Sequence, residues 1–273
     1  MDAYDVQSES IHPKTDYPFI NYANKPVMIY YFVDPFCCEC WSIEKSIKKM
    51  TLTYGAFFNV RPIISHLFFS SDSCSDHRYP IDQMSAYQLS VGVKAATLQG
   101  NKAGRAFLRN VQDIIFLYGK IDSVDDVLLE AAARTPPLDI NEFKKDLFSP
   151  SAEKAYKRDV ELIQDMNVRH FPTLLFYSQY IEDHSVKISG LHSYETYDYV
   201  LKKMLQTNTD AARQKVPPLE VFLKNYKRVQ TEEIAFIFEL SIKDAETKLK
   251  KLQLQQKVNK VEHNGKSFWE FQD

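Results

Sequence analysis

The sequence predicts an α/β domain interrupted by a helical insertion, followed by a small C-terminal module of three helices and a hairpin. Three observations carry that expectation. Residues 27–33, VMIYYFV, form an unbroken run of β-branched and aromatic side chains, the pattern of a strand covered on both faces. Directly after it the apolar period becomes helical, with Ile43, Ile47 and Met50 on one face and Lys45, Lys48 and Lys49 elsewhere. Strand signals then fade between about 81 and 166 and return at HFPTLLFYS, 170–178, so the helical stretch reads as an insertion between strands.

Length and charge narrow the classes. A chain of 273 residues exceeds the usual single domain, and its apolar content allows a packed core. Lys plus Arg number 34 and Asp plus Glu 36, a net charge of -2 that gives no general attraction for nucleic acid or anionic lipid. Residues 1–25 read as an N-terminal extension. They mix Asp2, Asp5, Glu9 and Asp16 with aromatics and lack the basic start and apolar run of a signal peptide. No stretch is long and apolar enough to span a bilayer, so the expected location is the cytoplasm, where thiols stay reduced.

The first domain is expected over 26–208, with its insertion at about 81–166. Residues 57–64, FFNVRPII, read as its second strand, although Pro62 weakens the centre. Helices are expected around 82–99, 102–117, 123–134, 140–147 and 151–166, with Ser123 and Ser151 as N-caps and Thr135-Pro136-Pro137 as a break. Ala95, Ala96, Ala103 and Gly104 would let these helices approach closely. SVKISG, 185–190, alternates Val186 and Ile188 as a strand, and a helix over 194–205 closes the domain. TNTDAARQKVPP, 207–218, carries charge, proline and no apolar period, and the linker is placed at 209–218.

The module at 219–273 begins with a short helix near 219–228. A second helix follows, capped by Thr231, with Glu232 and Glu233 in its first turn and Ile234, Ile237 and Phe238 on one face. Ser241 caps a third, with Asp244 in the capping-box position and Ala245, Leu249 and Leu252 on one face. Asn264-Gly265 then predicts a two-residue hairpin turn that sets Val261 opposite Phe268 and Val258 opposite Phe271. This order reads as winged-helix-like. The third helix carries Lys243, Lys248, Lys250 and Lys251, but the module holds ten Lys plus Arg against nine Asp plus Glu. Nucleic-acid binding rests on a basic face, so protein docking or a structural role is the expectation.

Chemistry concentrates in VDPFCCECWSIE, 33–44, where Cys37 and Cys40 form a C-x-x-C in the strand-to-helix turn. A cysteine at a helix N-terminus meets the positive end of the helix dipole and unpaired N–H groups, which stabilise a thiolate; a second thiol one turn on can resolve a mixed disulfide. Phe171-Pro172 opens a strand about 130 residues later. In thioredoxin-like folds such a proline is cis and lies against the cysteines, so Pro172 is expected to face the pair. Against activity, Glu39 puts negative charge beside the thiols, and Cys38 could compete as resolver or be a small core residue. Cys74 reads as a loop thiol, and His170 as a surface or packing side chain in preference to a substrate contact. His77, His184, His192 and His263 do not cluster by spacing. No finger-like ligand spacing, phosphate loop or Ser-His-Asp order stands out, so no metal and no cofactor are expected.

These residues bear a resemblance. VDPFCCECWSIE, AYQLSVGVKAATLQGNKAGRAFLRNVQ, HFPTLLFY, KISGLHSYETY, PPLEVFLKNY and the GKSFWE tail resemble the SpxH (YjbH) adapter family of low-GC Gram-positive bacteria, from roughly Asn24 to Phe271. The resemblance implies a DsbA-like thioredoxin fold in the cytosol joined to the C-terminal module. It also implies a non-enzymatic adapter that binds the regulator Spx and promotes its degradation by the ClpXP protease in unstressed cells. Some relatives carry a His-rich N-terminal segment that can take zinc; this chain offers only His12 there. The competing expectation is a cytosolic DsbA-like thiol-disulfide oxidoreductase using Cys37 and Cys40.

Overall fold

Strand β2, Val27–Val33, is buried at six of its seven positions, Tyr30 being half-buried. That follows from its unbroken apolar run. In the computed structural model, residues 6–7, 25–66, 82–119, 123–136, 138–178, 185–205, 214–263 and 266–272 are described. The chain divides into two units: Met1–Ile43 with Ala56–Thr209, and Glu44–Gly55 with Asp210–Asp273. Helix α1, Cys38–Tyr54, therefore begins in one and ends in the other.

In the first unit, β1 (Val6–Gln7), β2, β3 (Phe58–Ile64), β4 (Thr173–Ser178) and β5 (Ser185–Ser189) form one sheet in the order β1-β5-β4-β2-β3. β2 and β3 are parallel, Val27 opposite Phe58 and Val33 opposite Ile64, and the other pairs are antiparallel. Among the described residues β3 lies at the edge, which is why Pro62 is tolerated inside it: no further described strand needs its missing N–H.

The insertion runs as α2 (Gln83–Leu98), α3 (Asn101–Asp113), a π-helical turn (Ile114–Tyr118), α4 (Val124–Ala133), α5 (Ile140–Asp146) and α6 (Pro150–Asp165). The helix expected over 102–117 is thus two pieces, α3 relaxing into π geometry before Gly119 ends it in the left-handed region. α2 and α3 approach closely at Gly104, where an added Cβ would stand 2.3 Å from Thr97 Oγ1. Ser123 caps α4 as expected, its side chain accepting from the Asp126 N–H. Ser151 does not cap α6. Ser149 does, accepting from the Ala152 N–H at 3.2 Å, because Pro150 suits the first helical position and pushes the residue before it into an extended conformation. Helix α7 spans Tyr194–Leu205. Under the sheet, Phe32, Ile63 and Leu175 pack with Leu162, Ile163, Met166 and Val168.

In the second unit, α8 (Leu219–Tyr226), β6 (Arg228–Val229), α9 (Thr231–Phe238), α10 (Ile242–Leu254), β7 (Val258–His263) and β8 (Lys266–Phe271) surround Phe222, Leu223, Ile234, Leu249, Val258 and Trp269. β8 is central in the order β6-β8-β7. The hairpin register pairs Val261 with Phe268 and Val258 with Phe271; its Asn264-Gly265 turn lies outside the described residues. Thr231 is not a cap. Gln230 holds that position with no side-chain bond, and Thr231 Oγ1 instead accepts from Trp269 Nε1 at 3.0 Å. Ser241 does cap α10 and also donates to Asp244 Oδ2. Residues 214–218 carry no helix or strand; the rest of the expected linker, 209–213, lies outside the described residues.

The α1 lysines correct the simple amphipathic picture. Ile43, Ile47 and Met50 are buried, but so are Lys48 and Lys49. Lys48 pairs with Glu233 and its ammonium lies 4.3 Å from the Tyr226 ring centre. Lys49 donates to the Phe236 carbonyl at 3.1 Å. Partners more than 180 residues away make these burials tolerable, as buried charges require.

Candidate functional site

Asp34 leaves β2, Pro35 and Phe36 make the turn, and α1 opens at Cys38, so Cys37 stands at the helix N-terminus. Its N–H donates to the Asp34 carbonyl at 3.1 Å and its carbonyl accepts from the Trp41 N–H at 3.0 Å. Its Sγ accepts from the Cys40 N–H at 3.1 Å, the role an N-cap oxygen ordinarily plays. Both cysteines are free thiols, Cys37 half-buried and Cys40 buried. Burial, then the neighbouring Cys37 sulfur, pushes the Cys40 thiol well above the usual range. The arrangement can therefore offer Cys37 for attack and hold Cys40 in reserve.

Cys38 is disulfide-bonded, so it is not the third free thiol that the sequence suggested as a competing resolver. Cys74 lies outside the described residues, as do His12, His77 and His184. Glu39 is exposed in the first turn of α1. The Phe171–Pro172 bond is cis, and the Pro172 carbonyl accepts from the Gly190 N–H at 2.7 Å. His170 is exposed, its carbonyl accepting from Thr173 Oγ1.

Side chains from distant segments brace the turn. Tyr31 Oη donates to the Cys40 carbonyl at 2.5 Å. Trp41 Nε1 donates to Asp113 Oδ1 at 2.9 Å, its ring stacks on Phe116 of the π-helical turn, and Arg109 covers it while pairing with Asp113. Tyr197 Oη accepts from the His192 N–H, and burial pushes its phenol up to about 12.

Asp34 carries no signal of its own in the local sequence pattern. The residue is buried, its Oδ1 accepts from the Phe36 N–H at 2.8 Å, and burial pushes its carboxyl up to about 7. Beside it, at the carboxyl end of β3, Ser65 donates its N–H to the Val33 carbonyl. His66 Nδ1 is 2.6 Å from Tyr156 Oη, and Tyr87 closes a three-ring cluster with them. Below this, Asp159 Oδ2 accepts from both Lys94 Nζ and the Ile64 N–H. No local pattern marks these residues, because four separate elements supply them: the ends of β2 and β3, α2 and α6. Among the described residues, no group of three His, Cys, Asp or Glu is placed to hold a metal.

A family model described as Thioredoxin matches residues 30–199. The ClpXP adapter protein SpxH of Bacillus subtilis is 40% identical over 269 residues, covering 90% of this chain and 89% of that protein. The ClpXP adapter protein SpxH of Shouchella clausii is 35% identical over 272 residues, covering 91% and 90%. Among solved structures, a putative protein disulfide isomerase from Nitrosomonas europaea aligns with TM-score 0.54 at 17% identity, over 68% of this chain and 100% of that one. The first unit therefore has the thioredoxin fold, and the chain belongs to the SpxH family.

Proposed function

We propose that this SpxH-family chain is an adapter that binds the regulator Spx and promotes its degradation by ClpXP. The observation that carries the reading is identity of 40% spread over nine-tenths of both chains with a protein named as a ClpXP adapter. Likeness restricted to the thioredoxin-fold residues would not support it, since that fold hosts many activities. The cytoplasm is the location this reading needs; among the described residues no helix is long and apolar enough to cross a membrane.

Within the adapter, residues 26–208 act as a DsbA-type domain and 219–273 as a winged-helix-like module, joined at 209–218. The module's helices, hairpin and short third strand support that assignment. Its Lys250 is paired to Glu246, Lys257 to Glu220 and Lys260 to Glu262, so much of the positive charge is answered locally and protein docking is favoured over nucleic acid. Binding raises Spx turnover if it favours the arrangement of Spx that the protease accepts, since a ligand shifts an equilibrium only by differential affinity.

A second reading, thiol-disulfide exchange at Cys37 and Cys40, is favoured by one observation: both thiols are free and Cys37 caps the helix. One experiment separates the readings. Spx degradation by purified ClpXP is timed with this protein, without it, and with Cys37→Ser/Cys40→Ser. Acceleration by both forms supports an adapter whose thiols are secondary, acceleration by the native form alone makes the pair a control element, and acceleration by neither ends the adapter reading.

A further inference from the structure

Gln112, on α3, is completely buried, and neither its amide nitrogen nor its amide oxygen has a hydrogen-bond partner. A buried unpaired amide is costly, and native proteins keep few of them. The residue stands just before the π-helical turn Ile114–Tyr118, a geometry that holds about one residue more per turn than an α-helix and recurs at functional sites. The far end of the turn has a similar debt. Tyr118 covers the Arg134 guanidinium at 4.3 Å, and Arg134 Nη1 is buried without a partner while Nη2 pairs with Glu130. Against these costs the turn grips Trp41. The indole Nε1 donates to Asp113 Oδ1 at 2.9 Å, and the ring stacks on Phe116 with centroids 5.5 Å apart and planes inclined by 30°. Phe116 lies four residues beyond Gln112, over the same face of the helix one turn on. Gly119, at φ 57°, ends the turn in the left-handed region, where glycine can take up displaced chain.

We propose that the π-helical turn is a two-register latch on Trp41. In the register of this structure Asp113 and Phe116 clamp the indole, at the cost of the stranded Gln112 amide. In the other register the turn tightens into an α-helix by passing one residue to Gly119. Residues from the turn onward then rotate by about 100° and move by about 1.5 Å along the axis, the values for one helical residue. That carries Phe116 off the Trp41 ring and opens the Gln112 amide to water. Neither register satisfies every group: the first keeps the stack and leaves the amide unpaired, and the second hydrates the amide and gives up the stack. Packed elements with two such arrangements switch between them and do not deform continuously. Trp41 is half-buried and follows Cys40 directly in α1, so the latch sets how much of an aromatic ring beside the thiol turn is open to a partner. An apolar side chain of a protein partner that stacks on the freed indole favours the open register, because a ligand shifts an equilibrium by its differential affinity.

The test uses the full-length protein labelled with 5-fluorotryptophan. The chain has 2 tryptophans, Trp41 and Trp269, so the fluorine spectrum holds one signal from each, assigned with Trp41→Phe. Relaxation dispersion reads exchange on the microsecond-to-millisecond scale. Trp41 is expected to show it, and Trp269, fixed by its bond to Thr231 Oγ1 at 3.0 Å, to give a flat profile. Gln112→Leu removes the stranded amide from the clamped register and should lower the minor population by about tenfold. Phe116→Ala removes the stack and should raise that population by about fivefold. If Gln112→Leu does not fold, Gln112→Met takes its place with the same expectation. A flat Trp41 profile in the parent protein overturns the proposal. So does a minor population that the Gln112 substitution fails to lower or Phe116→Ala fails to raise. The samples contain neither ClpXP nor Spx, so the outcome is independent of the adapter reading.

Discussion

At the scale of single residues, the molecule is governed by charges placed where water is not. Asp34 has a folded-state carboxyl near 7 against 3.8 in a model peptide. Its raised value means that the folded state binds the proton more tightly. The stability this contributes is full below about pH 4 and is lost as pH rises to about 7, a change on the order of 4 kcal/mol for the group alone. Asp34→Asn keeps the shape and cannot ionise, so urea unfolding at pH 5 and pH 8 should show a smaller loss of stability in the variant; an unchanged loss would refute the assignment. Asp159 has the opposite need. It must stay charged for Lys94 and also accept from the Ile64 N–H. Asp159→Ala should cost about 3–5 kcal/mol, because it strands a buried ammonium and an amide together. Asp159→Asn should cost less, since its amide oxygen still accepts from Ile64. Equal costs by denaturant titration would show that the backbone contact contributes nothing.

At the scale of elements, caps and edges decide where helices and strands begin. Ser149 bonds the first turn of α6 and Ser151 points into solvent on the same turn. Ser149→Ala is therefore expected to lower stability by about 1 kcal/mol and Ser151→Ala by a few tenths at most. Matched guanidinium titrations would read the difference, and the reverse ranking would mean that the helix starts at Ser151 after all. Both serines satisfy the sequence rule for a cap; the proline between them breaks the tie through its effect on Ser149. Pro62 shows the same logic in a strand. Its weak local score is harmless because β3 is an edge, a property of sheet order that no window of sequence contains.

At the scale of the whole molecule, α1 serves two units: its first turn carries the thiols, and Glu44–Gly55 belongs with Asp210–Asp273. Ending the chain at residue 213 would remove the Glu233 carboxylate that answers Lys48 and the apolar cluster against which Leu52 packs. Hydrogen exchange at amides 44–54 should then quicken by at least about tenfold, while exchange along β2 changes little; undiminished protection in α1 would show that its second half is held without the C-terminal residues. The sequence by itself determined the pieces that depend on near neighbours: β2 from its apolar run, the thiol turn from the change of period, the cap of α10 from Ser241 and Asp244, and the β7–β8 register from the spacing of its apolar residues about Asn264-Gly265. Only the tertiary structure decided that Lys48, Lys49 and Asp34 are buried, that Thr231 serves Trp269, and that Tyr156 meets His66. The reason is physical. A periodic pattern reports which face of an element is apolar, whereas burying a charge requires a partner, or a shift in ionisation, supplied by residues up to 187 positions away.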